Sequence, residues 1–354
     1  MLTKRQTHLF YLPLAAAVLF GASTPVCKSL LAHTHPAILA GLLYLGSGVG
    51  LGAFCILRRV IPTLSPEEAP LSPSHLPWLL AAIAFGGVAG PLLLMYGLNG
   101  TSASAASLLL NLEGAFTALI AWLVFKENLD RRLAAGMLAI VCGGLCLSLR
   151  FDVQLSFLPQ SLAIVAACLC WAADNNLTRK VSGADPVVTS ALKGLVAGVV
   201  NCAIALKIGD SFPEPSVFLT ACLAGFLSYG LSLCLYIRSL RNLGAARTSA
   251  YFSTAPFIGA ALSVLVLKDP VSAMFLVAGA LMALGVWLHV TEEHSHEHTH
   301  EAIEHEHQHV HDEHHQHEHD SSMPPGEPHT HRHRHAQITH SHHHYPDLHH
   351  HHEH

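Results

Sequence analysis

The chain has 354 residues, of which 51% are hydrophobic and only 12% charged, against roughly 25% charged residues in an ordinary soluble domain. Residues 291–354 hold 25 of the 30 histidines, 13 of the 24 acids and two arginines, so the body carries 17 Lys+Arg against 11 Asp+Glu, a net +6, and the tail is −11 with neutral His. These figures exclude one ordinary soluble domain, give no sign of a nucleic acid partner, and divide the chain into an apolar body and a polar extension.

Taken in chain order, the body presents ten apolar runs, at approximately 9–31, 36–57, 76–98, 102–125, 133–149, 158–178, 186–206, 216–237, 248–267 and 271–290. Each is near the ~20 residues that a membrane-crossing helix needs. Lys4 and Arg5 precede the first run in the manner of a signal peptide. That run continues to Leu31 with Lys28 embedded, longer than a signal core, and a second apolar run follows, so a retained helix is expected. Stretches such as "GLLYLGSGVGLG" and "LVAGALMALG" supply the small residues that let membrane helices pack closely. Pro25, Pro91 and Pro256 lie inside runs and are expected to kink or break them, which transporters tolerate beside cavities. All nine cysteines fall in apolar runs and read as small buried hydrophobes. Cys142 and Cys146 share a helix face, at most half of a metal site.

Ionisable residues within spans are costly and mark function by default. Glu113 lies near the middle of the fourth run, with no basic residue in that run to pair with it. Apolar surroundings favour the uncharged carboxyl, which makes Glu113 a candidate for a coupling proton or for substrate. Asp174, in "CWAADNNLTRK", is about five residues inside the end of the sixth run, or ~7.5 Å. Lys193 is about seven residues inside the seventh, or ~10 Å. Their depths match on antiparallel helices, so an ion pair is expected, either pinning two helices or lining a gate. Asn175 and Asn176 can hydrogen-bond across helices or to a ligand, with Asn175 a candidate for the cavity wall, but both cannot share the direction of Asp174 on a helix. Trp171, on about the face of Asp174, reads as cavity lining or as an interfacial belt aromatic. Asn111, Tyr251 and Ser253 are further candidates for the cavity wall, and Tyr96, Asn99 and Tyr229 are other polar groups in or near spans. Asn111, two residues from Glu113, points to another side.

Placing the N-terminus in the cytoplasm puts twelve Lys and Arg on that side (Lys4, Arg5, Arg58, Arg59, Lys126, Arg131, Arg132, Arg179, Lys180, Arg238, Arg241, Arg247) and four on the other (Lys28, Arg150, Lys207, Lys268). The bias fixes the orientation, and ten spans return the C-terminus to the cytoplasm. Residues 99–127 compare with 243–269, and a shift of 142 residues sets Lys126 on Lys268, Glu127 on Asp269, Gly114 on Pro256 and Glu113 on Ala255. The two segments are the fourth and ninth runs. Five helices per half is odd, so the halves have opposite orientation, as in secondary transporters with a site between the halves near midplane.

"LNLEGAFTALIAWLVFKENL" followed by "GMLAIVCGGLCL", and "LGAARTSAYFSTAPFIGAALSVLVLKDP", resemble an EamA-type permease of the drug/metabolite transporter superfamily, over about residues 9 to 290. The resemblance implies an all-α polytopic membrane protein of ten helices in two inverted five-helix repeats, at 1–150 and 151–290, around a central cavity and without ATP. It implies export of amino acids or other small metabolites from the cell across the inner (plasma) membrane. Many members carry Pro where this chain has Gly114, which implies a less kinked fourth helix here. The His-rich tail is outside the family pattern.

The tail, 291–354, has a composition that forms no core and is expected to be disordered. Imidazoles one residue apart among carboxylates, at His294, His296, His298, His300, His305, His307, His309 and His311, suit Zn, Ni, Cu or Co. Three functions compete. The first is a proton-coupled metabolite exporter whose tail buffers or senses metal. The second is a divalent-metal efflux permease fed by the tail, and the third a plain membrane anchor for it, which the repeat disfavours. No P-loop, catalytic triad or zincin motif is present, so no enzyme is expected and no cofactor is required, beyond transition-metal ions on the tail. The expected partners are the lipid bilayer, a small molecule or metal ion, protons, and a second copy in a homodimer.

Overall fold

The computed structural model describes residues 4–61, 70–125, 131–148, 158–181, 184–243, 248 and 251–290, and four strands between 294 and 344. The body is helical throughout: α1 Lys4–Gly21, α2 Ser23–Leu30, α3 Pro36–Val60, α4 Leu76–Ala82, α5 Gly90–Gly100, α6 Ala103–Leu109, α7 Leu112–Phe125, α8 Arg131–Ser148, α9 Leu158–Thr178, α10 Pro186–Lys207, α11 Pro215–Gly225, α12 Ser232–Leu243, α13 Ala255–Leu267 and α14 Ala273–Val290. Among the described residues, six helical stretches are long and apolar enough to cross a membrane: Tyr11–Leu30, Pro36–Val60, Pro73–Gly100, Ala103–Val124, Pro186–Lys207 and Pro215–Ser239. Large apolar side chains such as Ile56, Leu123, Leu138, Leu219 and Leu265 stand exposed on the outer faces, a surface suited to lipid rather than water.

Two spans pass through a π-helical turn, Ile83–Ala89 between α4 and α5 and Phe226–Leu231 between α11 and α12. Three others are interrupted by a turn, at 22 between α1 and α2, at 110–111 between α6 and α7 and at 253–254 just before α13. The π turns, and the turns at 110–111 and 253–254, recur within one residue of the 142-residue shift found in the sequence. Helix contacts recur in the same way. α1 packs on α12 and α13, while α9 packs on α5 and α7. α3 meets the second π turn and α10 the first. α3 and α10 pack together, as do α6 and α13, and α8 and α14.

The α3–α10 contact is close because both helices present glycine to it. A Cβ on Gly194 would lie 2.6 Å from the Gly48 nitrogen, and one on Gly48 would strike the Leu195 backbone. Arg58, in the last turn of α3, pairs at 2.6 Å with Asp185, whose carboxylate also caps the first turn of α10 through Val187 and Val188 N–H. The largest buried cluster gathers Ile38, Leu39, Leu42, Leu94, Met95, Leu98, Leu109 and Ile164.

Gly114 does not straighten the fourth span as the resemblance implied. The interruption falls just before it, and a Cβ at Gly114 would meet open space. In the tail four segments are extended. β1 His294–His300 pairs antiparallel with β4 Ile338–His344, and β2 Glu304–His309 with β3 His329–Arg334. Alternating His-X-His sequence favours extended backbone, although an isolated two-stranded ribbon is marginally stable in water.

Candidate functional site

Pro91 organises the site. Proline has no N–H to give to the carbonyl four residues earlier, and the Gly90 N–H bonds Phe85 rather than Gly86 in the π register. The Gly86 and Gly87 carbonyls are therefore open to side chains. Tyr44 of α3 donates its hydroxyl to Gly86 O at 2.7 Å, and Trp171 of α9 donates its indole N–H to the same oxygen at 2.9 Å. Asn201 of α10 donates to Gly87 O at 2.9 Å. One π turn thus collects donors from three helices, in keeping with the frequent use of such turns at functional sites.

Asp174 lies against this turn. A Cβ on Gly86 would collide with its carboxylate, so only glycine leaves room for it. Lys193 of α10 donates to Asp174 Oδ2 in an ion pair, and Thr178 donates to Oδ1 at 3.0 Å. Asp174 and Lys193 are brought together as a pair. Trp171 is 7% exposed, and its nitrogen lies 2.9 Å from where a Gly90 Cβ would stand. It is therefore no interfacial belt residue; the open Gly86 carbonyl holds the indole inside.

Glu113 lies near the middle of the fourth span, Ala103–Val124, as expected, and within it sits in the first turn of α7, just after the interruption at 110–111. Its N–H bonds Leu110 O, three residues back, which leaves Leu109 O to accept from Cys168 Sγ at 3.6 Å. Asn175 Nδ2 reaches Glu113 Oε1 at 2.9 Å and Thr117 Oγ1 at 3.3 Å. Asn176 Nδ2 donates to Thr117 O at 3.2 Å and to Ala172 O at 2.8 Å. α9 therefore reaches α10 through Asp174 and α7 through both asparagines, as the ~100° step of a helix requires.

Asn111 stands apart, its amide on Leu108 O at 2.9 Å and Met282 Sδ at 3.9 Å. Tyr251 and Ser253 lie half-buried at the turn before α13, and Thr254 Oγ1 donates to Tyr251 O at 2.6 Å. His294 to His311 lie in the tail, whose side chains are outside the described residues. Among the described residues no three His, Cys, Asp or Glu side chains converge as a metal site.

Sequence reasoning missed Tyr44, Gly86, Thr117, Thr178 and Asn201. It also missed an aromatic row leading away from the cluster. Tyr44 and Tyr229 are 5.4 Å apart between ring centres, Phe20 and Tyr229 5.9 Å, Phe20 and Phe252 5.5 Å, and Tyr236 and Phe252 4.7 Å. Pro91 was the one available signal, since it announces an open carbonyl without saying what fills it. Chemically, the cluster sets an amide-held carboxyl, Glu113, near a carboxylate already neutralised by Lys193, beside aromatic surface.

The profile of the EamA-like transporter family matches residues 9–149 and 159–291. An uncharacterized transporter of Methanothermobacter thermautotrophicus is 28% identical over 289 residues, covering 78% of this chain and 84% of its own length. A probable amino-acid metabolite efflux pump of Salmonella typhimurium is 26% identical over 304 residues, 79% of this chain and 94% of that protein. One solved structure superposes with a TM-score of 0.57 at 18% identity, over 80% of this chain and 95% of its own, a likeness of fold.

Proposed function

The chain belongs to the EamA-like transporter family, a multi-pass membrane protein that moves small molecules, and from that premise we propose that it is a proton-coupled exporter of small metabolites, amino acids among them. The observation that carries this reading is the cluster itself. Glu113 is an acid within a span whose partner is the Asn175 amide, so it can exist neutral or charged as transport demands, while Asp174 is neutralised by Lys193. The relative from Salmonella typhimurium, named for amino-acid metabolite efflux, supports the substrate class. Ten spans in two inverted halves, 1–150 and 151–290, are supported by the irregularities and helix contacts that recur with the halves exchanged. The Lys and Arg asymmetry supports cytoplasmic termini in the plasma membrane. A tail with 25 histidines supports metal binding as buffer or sensor, and it favours a second reading, efflux of Ni, Co, Zn or Cu. That reading rests on the tail alone.

The deciding experiment is transport into vesicles under opposite pH gradients, with amino acids and divalent metals screened, with and without residues 291–354. The exporter reading expects amino-acid flux that reverses with the gradient and survives tail removal. Glu113→Gln should abolish the pH dependence. Metal flux lost with the tail would favour the second reading.

A further inference from the structure

At the end of the bundle opposite the chain termini, one short link is held from two directions. α5 ends at Gly100 and α6 starts at Ala103. Lys28, in the last turn of α2, donates its ammonium to Leu98 O at 2.8 Å and to Asn99 O at 3.1 Å. These are carbonyls that the end of a helix leaves without partners, and a cation there also meets the negative end of the helix dipole. On the other side of the link, Asp269 accepts the Ser104 N–H at 2.8 Å, an orphan donor of the first turn of α6. Asp269 belongs to the connection between α13 and α14. The α5–α6 hinge is therefore tied to α2 by a cation and to the ninth span by an anion.

Beneath these ties the bundle is shut. Leu98, Ala103 and Leu109 are 0% exposed, and Ser104 is 1% exposed. In the polar cluster Asn175 is exposed and Glu113 half-buried, while Tyr44, Trp171, Asp174 and Asn176 are buried. The two charged contacts sit where the link is buried, and the exposed member of the cluster, Asn175, lies near the other end of its span, in the last turn of α9.

We propose that Lys28 and Asp269 are positioning residues for transport: together they clamp the α5–α6 link and keep the pathway closed on the face opposite the termini. Opening there requires α5 to release Lys28 and α6 to release Asp269. Both contacts are made by side chains from elements that must separate from the link, so they act on the balance between closed and open states rather than on the substrate. The proposal rests on the reading of the Glu113–Asp174 cluster as lying in a transport pathway.

The test uses the full chain with Asn175→Cys as reporter, in right-side-out and inverted vesicles. An impermeant thiol reagent is applied, and labelling of the same chain without the reporter is subtracted. The reporter should be labelled from the side of the termini. Asp269→Asn and Lys28→Met should each raise labelling from the far side about tenfold, as loss of a charge-assisted bond from one of two states predicts, and Asp269→Glu should behave as the unsubstituted chain. If Asp269→Asn fails to accumulate, Lys28→Met decides. Far-side labelling unchanged in a folded Lys28→Met, or already high in the unsubstituted chain, overturns the clamp. A reporter labelled from neither side in every variant overturns the pathway reading instead.

Discussion

Asp174 and Lys193 were legible as a pair from depth alone, because two charges in apolar helices must find each other or a cavity. What depth could not supply was their surroundings. Asp174 occupies a slot that only glycine at 86 leaves open, and its neighbour Asn175 turns to Glu113 instead. Asp174→Asn alone strands the Lys193 ammonium and should cost about 3–5 kcal/mol, as removal of one partner of a buried pair does. The double variant Asp174→Asn, Lys193→Met should recover most of that loss but not transport. Melting temperature in detergent and flux in vesicles check the two halves. Flux that returns with the neutral pair would reduce the ion pair to a helix pin.

Among the elements, the third span carries the most information. Its break was predicted from Pro91, yet a kink and a π turn have the same sequence signal. The choice depends on Tyr44, Trp171 and Asn201 arriving from three other helices to fill the opened carbonyls. Gly86→Ala should destabilise the protein by about 1–3 kcal/mol, the range for overpacking, and should reduce transport by displacing Asp174. Gly52→Ala in α3 is the matched comparison. Its Cβ would meet nothing within 4 Å, so it should leave transport unchanged and raise stability by up to about 1 kcal/mol through helix propensity. Paired thermal melts and flux measurements read both. The interrupted fourth span ran against the expectation drawn from Gly114. At the turn at 110–111, Leu108 O accepts from the Asn111 N–H, Leu110 O from the Glu113 N–H and Leu109 O from Cys168 Sγ, which no residue at position 114 reports.

For the molecule as a whole, the sequence reads as two physical objects, an apolar body and a polar tail. The strands of the tail pair with one another, so deleting residues 291–354 should leave the melting temperature of the body within about 1 °C. The same deletion should remove nearly all Ni and Zn binding by the purified protein. Binding by the full chain should fall as pH drops below about 6, because protonated imidazole is no ligand; titration calorimetry at two pH values measures it. Composition by itself determined the division into an apolar body and a histidine-rich extension, the approximate limits of the helices, the 142-residue repeat and the three charged residues of the cluster. These are properties of chain-local hydrophobicity and of the cost of charge in lipid, and both are written along the sequence. Tertiary structure alone decided which carbonyls stand open, which helix each polar side chain reaches, and that Lys28 and Asp269 hold the same link. Those facts depend on where distant segments cross, and a carbonyl carries no sequence signal of its own.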